Sequence, residues 1–158
     1  MILAPATADD IRLVALGMRA SDFAEAEPTC WNEDRAGVAD ELVERLGSQR
    51  NVFAVSRRSG DDPVCIAGAI PVRPNSCGLV LIATDQWPTV AKPLTRFLKQ
   101  SYIPAAIRDG VHRLEAISIE GHADAHKWLR YLGLQADAPL INYGKRGETF
   151  WIFSRVCG

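Results

Sequence analysis

The fold of this chain is decided by residues 120–134, EGHADAHKWLRYLGL. Apolar residues recur there at spacings of three and four, which predicts a single apolar stripe on a short helix over residues 123–132. The stripe consists of Ala125, Trp128, Leu129 and Leu132. Gly133 follows it, and glycine readily takes the left-handed conformation that ends a helix. The alternating run 113–119 comes before it, so the stretch predicts a strand, a helix and then a further strand.

The length and composition of the chain are those of one globular domain spanning residues 1–158. Hydrophobic residues make up 47% and charged residues 23%, which argues against a disordered or fibrous protein. The net charge of −1 argues against bulk electrostatic binding of nucleic acid or of an anionic membrane. No apolar run approaches the roughly 20 residues that span a bilayer. We therefore expect neither a specific nucleic-acid partner nor a membrane.

The cysteines and the first residues bear on location. The opening segment, MILAPATADD, has no basic leader and no long apolar run, so we expect a cytoplasmic protein. The four cysteines are Cys30, Cys65, Cys77 and Cys157. They form no C-x-x-C pair, whereas zinc ligands usually come in close pairs, so we predict no metal site. We expect four reduced thiols, with Cys157 the most exposed because it lies next to the chain end.

Periodicity and turn residues predict the remaining elements. The predicted strands are residues 2–4, 51–57, 64–72, 78–83, 113–119, 135–141 and 148–156. One predicted helix follows Thr7, and three others cover residues 35–46, 91–103 and 123–132. Residues 21–29 are predicted to be irregular. Pro93 is expected in a first helical turn and Pro104 at a helix end or kink. The order β-α-α-β-β-β-α-β-α-β-β predicts an α+β (mixed α/β) fold, with a central mixed sheet of about six to seven strands and helices on both faces.

This order of elements resembles that of the GNAT acyltransferase superfamily, over nearly the whole chain. The resemblance implies that acyl-CoA, with acetyl-CoA as the expected cofactor, lies in a splay between two central parallel strands, here 78–83 and 113–119. It also implies a reaction in which an acetyl group passes to an amine of a protein or small molecule. A backbone N–H of the first strand would polarise the thioester carbonyl.

The resemblance further places the cofactor pyrophosphate on backbone N–H groups at the start of the helix after the first strand. The residues that would contact acetyl-CoA are Ile82, Ala83, Thr84, Thr89, Val90, Ala91, Lys92, Arg96 and His122. Lys92 adds a full positive charge, and Arg96 lies one turn further on. The sequence departs from the family loop, Q/R-x-x-G-x-G/A, because residues 85–92, DQWPTVAK, contain no glycine.

The next helix carries the catalytic part of the resemblance. Many relatives have N-x-x-A-x-x-x-Y-x-x-x-G-F there, in which the Asn holds the cofactor arm and the Tyr protonates the leaving thiolate. Here His122 takes the Asn position and Leu129 the Tyr position, and leucine donates no proton. The first choice for the general base is Glu120, followed by Asp85 and Glu115. A surface ion pair is the alternative role of each carboxylate. His122 is predicted either to contact the cofactor arm or to act as a catalytic acid or base, and a polar helix start is its alternative role.

A narrower resemblance rests on Thr84-Asp85-Gln86-Trp87 after an apolar strand, on the W-L-x-x-L-G helix and on the GKRGETF hairpin. These features look like those of small GNAT-like proteins of tailed bacteriophages, including an internal virion-associated protein of short-tailed phages. That implies a bacterial host cytosol and a host or phage protein as partner. Trp31 and Trp87 would then line or cover a binding groove.

Two functions are therefore predicted. One is an acyl-CoA-dependent N-acyltransferase. The other is a catalytically inactive GNAT-fold protein that binds and modulates a host enzyme or belongs to a virion. The oligomeric state is left open, with a dimer as one option.

Overall fold

The computed structural model describes residues 1–157 of the chain. The strands are β1 (Ile2–Pro5), β2 (Val52–Ser56), β3 (Cys65–Arg73), β4 (Ser76–Ala83), β5 (Arg113–Ile119), β6 (Gln135–Leu140) and β7 (Phe150–Val156). The α-helices are α1 (Ala8–Leu16), α2 (Ala20–Ala26), α3 (Arg35–Leu46), α4 (Pro88–Phe97), α5 (Ile103–Arg108) and α6 (Ala123–Tyr131). A 3₁₀ turn (Glu27–Thr29) follows α2, and a π-helical turn (Leu98–Tyr102) joins α4 to α5.

The seven strands form one sheet in the order β1-β2-β3-β4-β5-β7-β6. The pairs β1–β2, β2–β3, β5–β7 and β6–β7 are antiparallel, whereas β4 and β5 are parallel. The sheet is therefore mixed and mostly antiparallel. The predicted α+β class and the predicted number of strands are confirmed.

The chain divides into two compact units, and the prediction of a single domain stays a prediction. The first unit comprises Met1–Ile70 and Val80–Pro93. Helix α1 begins with a capping box, in which the Thr7 hydroxyl accepts the Asp10 N–H at 3.1 Å and the Asp10 carboxylate accepts the Thr7 N–H at 2.9 Å. The core of this unit includes Ile11, Val14, Ala15 and Met18, with Val38, Ala39, Leu42 and Leu46. These residues are the predicted stripe of α1 and the inner face of α3.

The second unit comprises Pro71–Leu79 and the residues from Leu94 onward. Helix α6 packs there on strand β7. The ring centroids of His126 and Phe153 are 4.8 Å apart, and the Arg130 guanidinium lies 5.6 Å from the centroid of the same Phe153 ring. Phe153 is buried to 1% exposure, so it is the centre of this contact.

The stripe predicted for α6 is found with one qualification. Leu129 and Leu132 are buried, whereas Ala125 and Trp128 are half-buried. The Trp128 indole donates to the Thr95 hydroxyl at 2.9 Å, which ties α6 to α4 within the second unit. Gly133 has φ 93°, so the predicted left-handed stop after the helix is confirmed.

Residues 21–29 were predicted to be irregular, and this prediction was wrong, because α2 and the 3₁₀ turn occupy them. Arg19, at the N-cap of α2, makes no side-chain capping bond, so the sequence shows no start signal. The fully buried residue of α2 is Asp22, whereas Phe23 and Ala26 are half-buried and pack against the core of the first unit. Contacts outside the helix therefore hold α2 in place.

The prolines of the α4–α5 region also behave differently from the prediction. Pro88 is the first residue of α4, where a missing N–H is tolerated, and this earlier start leaves Pro93 inside the helix. The chain stays helical at Pro104 through the π turn, whose last bond runs from the Ile103 N–H to the Leu98 carbonyl. The wider turn makes room for the proline ring, which would clash in a regular α-helix.

Each of the two outermost strands of the sheet contains a proline. Strand β1 ends in Pro5, and β6 contains Pro139. The pairing of β6 with β7 also shifts register between Ala136 and Ala138. Within residues 1–157, no helix combines the length and the apolar character that crossing a bilayer requires.

Candidate functional site

The two strands expected to part are adjacent and parallel. Ser76, Cys77 and Gly78 pair with Arg113, Leu114 and Glu115. This ladder covers the first three of the eight residues of β4. By contrast, β5 pairs with β7 along all seven of its residues. The ladder that joins β4 to β5 thus lies at the amino end of β4.

The predicted site residues fall in both units. The first unit contains Ile82, Ala83, Thr84, Asp85, Thr89, Val90, Ala91 and Lys92, and the second contains Arg96, Glu120 and His122. The eight positions of the first unit form two runs of four residues, 82–85 and 89–92, at the end of β4 and the start of α4.

The end of β4 is held on both of its edges within the first unit. The Thr84 N–H and the Thr84 hydroxyl both donate to the Val64 carbonyl, at 2.9 and 3.1 Å. The Ala83 N–H donates to the Asp22 carboxylate at 2.7 Å, and the Ala83 carbonyl accepts the Arg19 N–H at 2.8 Å. Ala83 is buried, and Ile82 packs against the core of the unit.

The backbone N–H groups at the start of α4 bond within the chain. The Thr89 N–H donates to the Gln86 carbonyl at 2.9 Å. The Val90 and Ala91 N–H groups donate to the Trp87 carbonyl at 3.1 and 2.9 Å. The turn before the helix is closed by the bond from the Trp87 N–H to the Thr84 carbonyl. These donors were predicted to face pyrophosphate, and in the structure carbonyl groups of the same segment already accept them.

The side chains between Asp85 and Arg96 differ in their exposure to solvent. Lys92 and Arg96 are exposed and four residues apart on α4, which places two cations on neighbouring turns. Val90 is fully buried and belongs to the core, so its side chain is not a ligand contact. The hydroxyl of exposed Thr89 donates to the Gln86 carbonyl at 2.7 Å. Asp85 is exposed and adds a negative charge beside them.

Glu120 lies directly after β5. Its backbone N–H donates to the Thr149 carbonyl at 3.0 Å, and its carboxylate accepts the Trp151 indole N–H at 3.3 Å. The residue is exposed. Glu120 is therefore an oriented carboxylate that solvent and a substrate amine can reach, which suits a general base.

His122 occupies the N-cap of α6. Its side chain makes no capping bond, and its backbone N–H donates to the Ile119 carbonyl at 3.2 Å. Leu129, at the position of the expected proton donor, is buried. Tyr131 is exposed, and the Lys99 ammonium lies 3.9 Å from its ring centroid. Tyr131 therefore does not replace the missing acid.

Glu115, the third carboxylate considered as base, is buried and ion-paired. Its carboxylate accepts the Arg113 Nε–H at 2.6 Å and also bonds Arg73. Burial by itself raises the pKa of Glu115, but the hydrogen bonds from Arg113 and Arg73 lower the pKa below its ordinary value. Arg113 in turn bonds Asp137 at 2.9 Å. This carboxylate is a structural partner of two guanidinium groups and a poor proton acceptor.

The two tryptophans in less regular segments lie in contrasting surroundings. Trp87 is half-buried, with the Arg19 guanidinium 5.5 Å from its ring centroid. Trp31 is 94% exposed, so it neither covers nor lines a groove within the described chain. Trp87 therefore remains relevant to the site, whereas the expectation for Trp31 was wrong.

Sequence reasoning missed Arg19 and Asp22, which contact the end of β4. The only signal in the sequence is a pair of opposite charges three residues apart. Such a pair usually marks a solvated helix face, and here it is buried, with Asp22 5% exposed. Nothing in the sequence indicates the bond from Ala83.

No disulfide joins the four cysteines, and no group of three metal-ligating side chains occurs among residues 1–157. Cys157 is buried, so the expectation that it is the most exposed was wrong, and Cys77 is the least buried. Burial raises the pKa of Cys65 to about 12, and burial also raises the pKa of Cys77.

We expect iodoacetamide at pH 7.5 to alkylate Cys77 first and Cys65 last in the folded protein. The reason is that the thiolate of Cys65 is both inaccessible and scarce at this pH. Peptide mass spectrometry over time measures the order, and the unfolded protein serves as control because all four thiols then react alike. Alkylation of Cys65 in step with Cys77 in the folded protein contradicts the assignment.

The chain resembles known proteins in its structure and not in its sequence. No family model matches the chain, and no curated protein matches its sequence. Solved structures do match. The ribosomal-protein-alanine N-acetyltransferase from Brucella melitensis is 21% identical, with 99% of each chain covered and a TM-score of 0.68.

Two further structures are similar over almost the whole length. A GNAT superfamily phosphinothricin acetyltransferase from Sinorhizobium meliloti, solved in complex with AcCoA, is 15% identical and has a TM-score of 0.72, with 99% of this chain and 88% of that chain covered. The ribosomal-protein-S18-alanine N-acetyltransferase from Escherichia coli is 15% identical and has a TM-score of 0.69, with 99% and 94% covered. At this level of identity the likeness concerns the fold. This chain has the fold of the GNAT acetyltransferases.

Proposed function

We propose that this protein is an acyl-CoA-dependent N-acetyltransferase that transfers an acetyl group to an amine of a protein or small molecule. The observation that carries the proposal is the parallel β4–β5 ladder that ends after three residues, followed by a helix bearing exposed Lys92 and Arg96. The likeness to a GNAT enzyme solved with AcCoA supports the choice of substrate.

In the proposed reaction, the amine nitrogen attacks the thioester carbonyl, and the bond from that carbon to sulfur breaks. Glu120 accepts the proton that the amine loses. A backbone N–H of β4 stabilises the charge that develops on the carbonyl oxygen. Positioning of the two substrates supplies much of the rate in such a reaction, so the loss of a tyrosine at position 129 is compatible with turnover. Solvent protonates the departing thiolate.

Lys92 is assigned to the cofactor phosphates, together with Arg96. Because the N–H groups at the start of α4 bond within the chain, these two side chains carry the attraction for the anion. The exposed hydroxyl of Thr89 lies in the same segment. His122 is assigned to the cofactor arm, in the place where relatives carry Asn.

Replacing Lys92 by glutamate is expected to weaken acetyl-CoA binding about tenfold or more, equal to about 1.4 kcal/mol, because a cation beside phosphate becomes an anion. Isothermal titration measures the dissociation constant. Lys127→Glu, an equal charge change at an exposed position of α6, serves as the control. Equal affinities of the two variants remove the phosphate assignment, and the absence of heat with the unaltered protein at millimolar acetyl-CoA ends the acetyltransferase proposal.

A second candidate function is a catalytically inactive GNAT-fold protein that docks on a host protein or within a virion. Buried Leu129 favours it, since no proton donor stands at that position. The internally bonded N–H groups of α4 favour it as well. In this second function the partner is a host or phage protein and the location is the bacterial cytosol, as the narrower resemblance to phage proteins implies. Intact mass spectrometry of the purified protein separates the two functions, because co-purified acyl-CoA or an acetylated product indicates the enzyme.

A further inference from the structure

A buried ion pair closes the carboxyl end of β4. Asp22, on the first turn of α2, is 5% exposed, and its two carboxylate oxygens accept Arg19 guanidinium bonds at 2.8, 3.1 and 3.3 Å. The same carboxylate accepts the Ala83 N–H at 2.7 Å. The Arg19 backbone N–H donates to the Ala83 carbonyl at 2.8 Å, within an isolated antiparallel bridge between Met18 and Thr84.

These bonds lie on a particular edge of the strand. The Thr84 N–H points to β3, because it donates to the Val64 carbonyl. Since N–H and C=O groups alternate along a strand, the groups of Ala83 point to the opposite edge. That is the edge on which β5 pairs with the beginning of β4. Both polar groups of Ala83 on this edge are therefore occupied, the carbonyl by Arg19 at the N-cap of α2 and the N–H by Asp22 in its first turn.

The consequence rests on the proposed function. An acyl-CoA with its phosphates at the start of α4 and its thioester beside β4 has an arm that must pass Ala83, the last residue of the strand. Arg19 and Asp22 occupy the backbone groups that such an arm would bond. We propose that the Arg19–Asp22 pair, which we call the latch, is an autoinhibitory contact that must open before acyl-CoA binds along β4.

The latch is also linked to the segment that would hold the phosphates. The Arg19 guanidinium lies 5.5 Å from the Trp87 ring centroid, and the Trp87 N–H closes the turn onto the Thr84 carbonyl. Trp87 directly precedes α4. Movement of Arg19 therefore frees the Ala83 edge of the strand and removes a cation–π contact from the residue before α4.

The fraction of molecules in which the latch is closed determines how strongly it weakens acyl-CoA binding. A ligand that binds only the open form has its dissociation constant raised by the reciprocal of the open fraction. The latch contains several charge-assisted hydrogen bonds in a buried place, which hold the closed form strongly. Removing the carboxylate releases the Ala83 N–H and leaves the Arg19 side chain free to reach solvent, since it is already 23% exposed.

The experiment compares acetyl-CoA affinity of the unaltered protein, Asp22→Ala and Asp9→Ala by isothermal titration. Asp9 is an exposed acid in the first turn of α1, so its replacement matches the charge change and the helical position. We expect Asp22→Ala to bind at least tenfold more tightly and Asp9→Ala to bind like the unaltered protein. Equal or weaker binding by folded Asp22→Ala overturns the latch, because weaker binding means that Asp22 positions the strand for the ligand.

A measurement on the unaltered protein covers the case in which Asp22→Ala fails to fold. Amide hydrogen exchange followed by NMR reports on the Arg19 N–H, which the latch protects by its bond to Ala83. We expect saturating acetyl-CoA to accelerate exchange at Arg19, and unchanged protection with bound ligand overturns the latch while the acetyltransferase proposal stands. If neither the unaltered protein nor folded Asp22→Ala binds acetyl-CoA, the proposed function and the latch both fail.

Discussion

Replacing Glu120 by glutamine is expected to lower kcat/KM for acetyl transfer by roughly 10²–10⁴-fold. The amide cannot accept the proton that the attacking amine loses, yet its oxygen still accepts the Trp151 indole N–H, so the local structure is kept. The rate of CoA release with a saturating amine measures the effect. Binding of acetyl-CoA by the variant should stay unchanged, because Glu120 acts on the amine.

Glu44→Gln is the matched control, since Glu44 is an exposed glutamate on α3 that no step of the reaction uses. This control is expected to keep full activity. If Glu120→Gln also keeps full turnover, Glu120 is not the base, and exposed Asp85 becomes the next carboxylate to replace.

Truncating Phe153 to alanine is expected to lower the free energy of unfolding by about 3–5 kcal/mol. Its ring is 1% exposed and fills the space between β7 and α6, where it contacts His126 and Arg130. Removal leaves a cavity that the paired strand cannot collapse to fill. Urea unfolding followed by circular dichroism measures the loss.

Trp31→Ala removes an even larger aromatic side chain at a position that is 94% exposed, so we expect a change of about 0.5 kcal/mol or less. A loss for Phe153→Ala no larger than that of Trp31→Ala contradicts the placement of Phe153 in the core of the second unit.

Elements with local signals at both ends were predicted well from the sequence. The bounds of α3 match the prediction, because Asp34 caps the helix through the Gly37 N–H and Gly47 follows its last residue. Strand β5 also matches. Its alternating pattern reflects a strand with Leu114 and Ala116 buried on one face.

The elements that were missed depend on contacts distant in sequence. Helix α2 has no side-chain cap, and only the half-buried Phe23 and Ala26 pack against the core. Its fully buried side chain, Asp22, bonds a backbone group 61 residues away. The π turn before Pro104 is a local solution to a steric conflict, whereas the sequence predicts an end or a kink and does not indicate a π turn.

The exposure of the candidate site residues agrees better with the sequence than their hydrogen bonding does. Lys92, Arg96 and Glu120 are exposed, as residues that meet a ligand must be, and their roles stay predictions. The occupied N–H groups of Ala83 and Ala91 were not foreseen, because backbone hydrogen bonding at a turn depends on three-dimensional closure. Buried Val90 shows the same limit, since a residue in a predicted loop proved to be core.

The prolines in the two outermost strands, Pro5 and Pro139, have a consequence for behaviour in concentrated solution. A strand of a neighbouring molecule that pairs with β1 or β6 lacks one backbone N–H donor at the proline, and at β6 it also meets an irregular backbone. Intermolecular extension of the sheet is therefore disfavoured at both sides, which protects the folded protein against fibril-type aggregation.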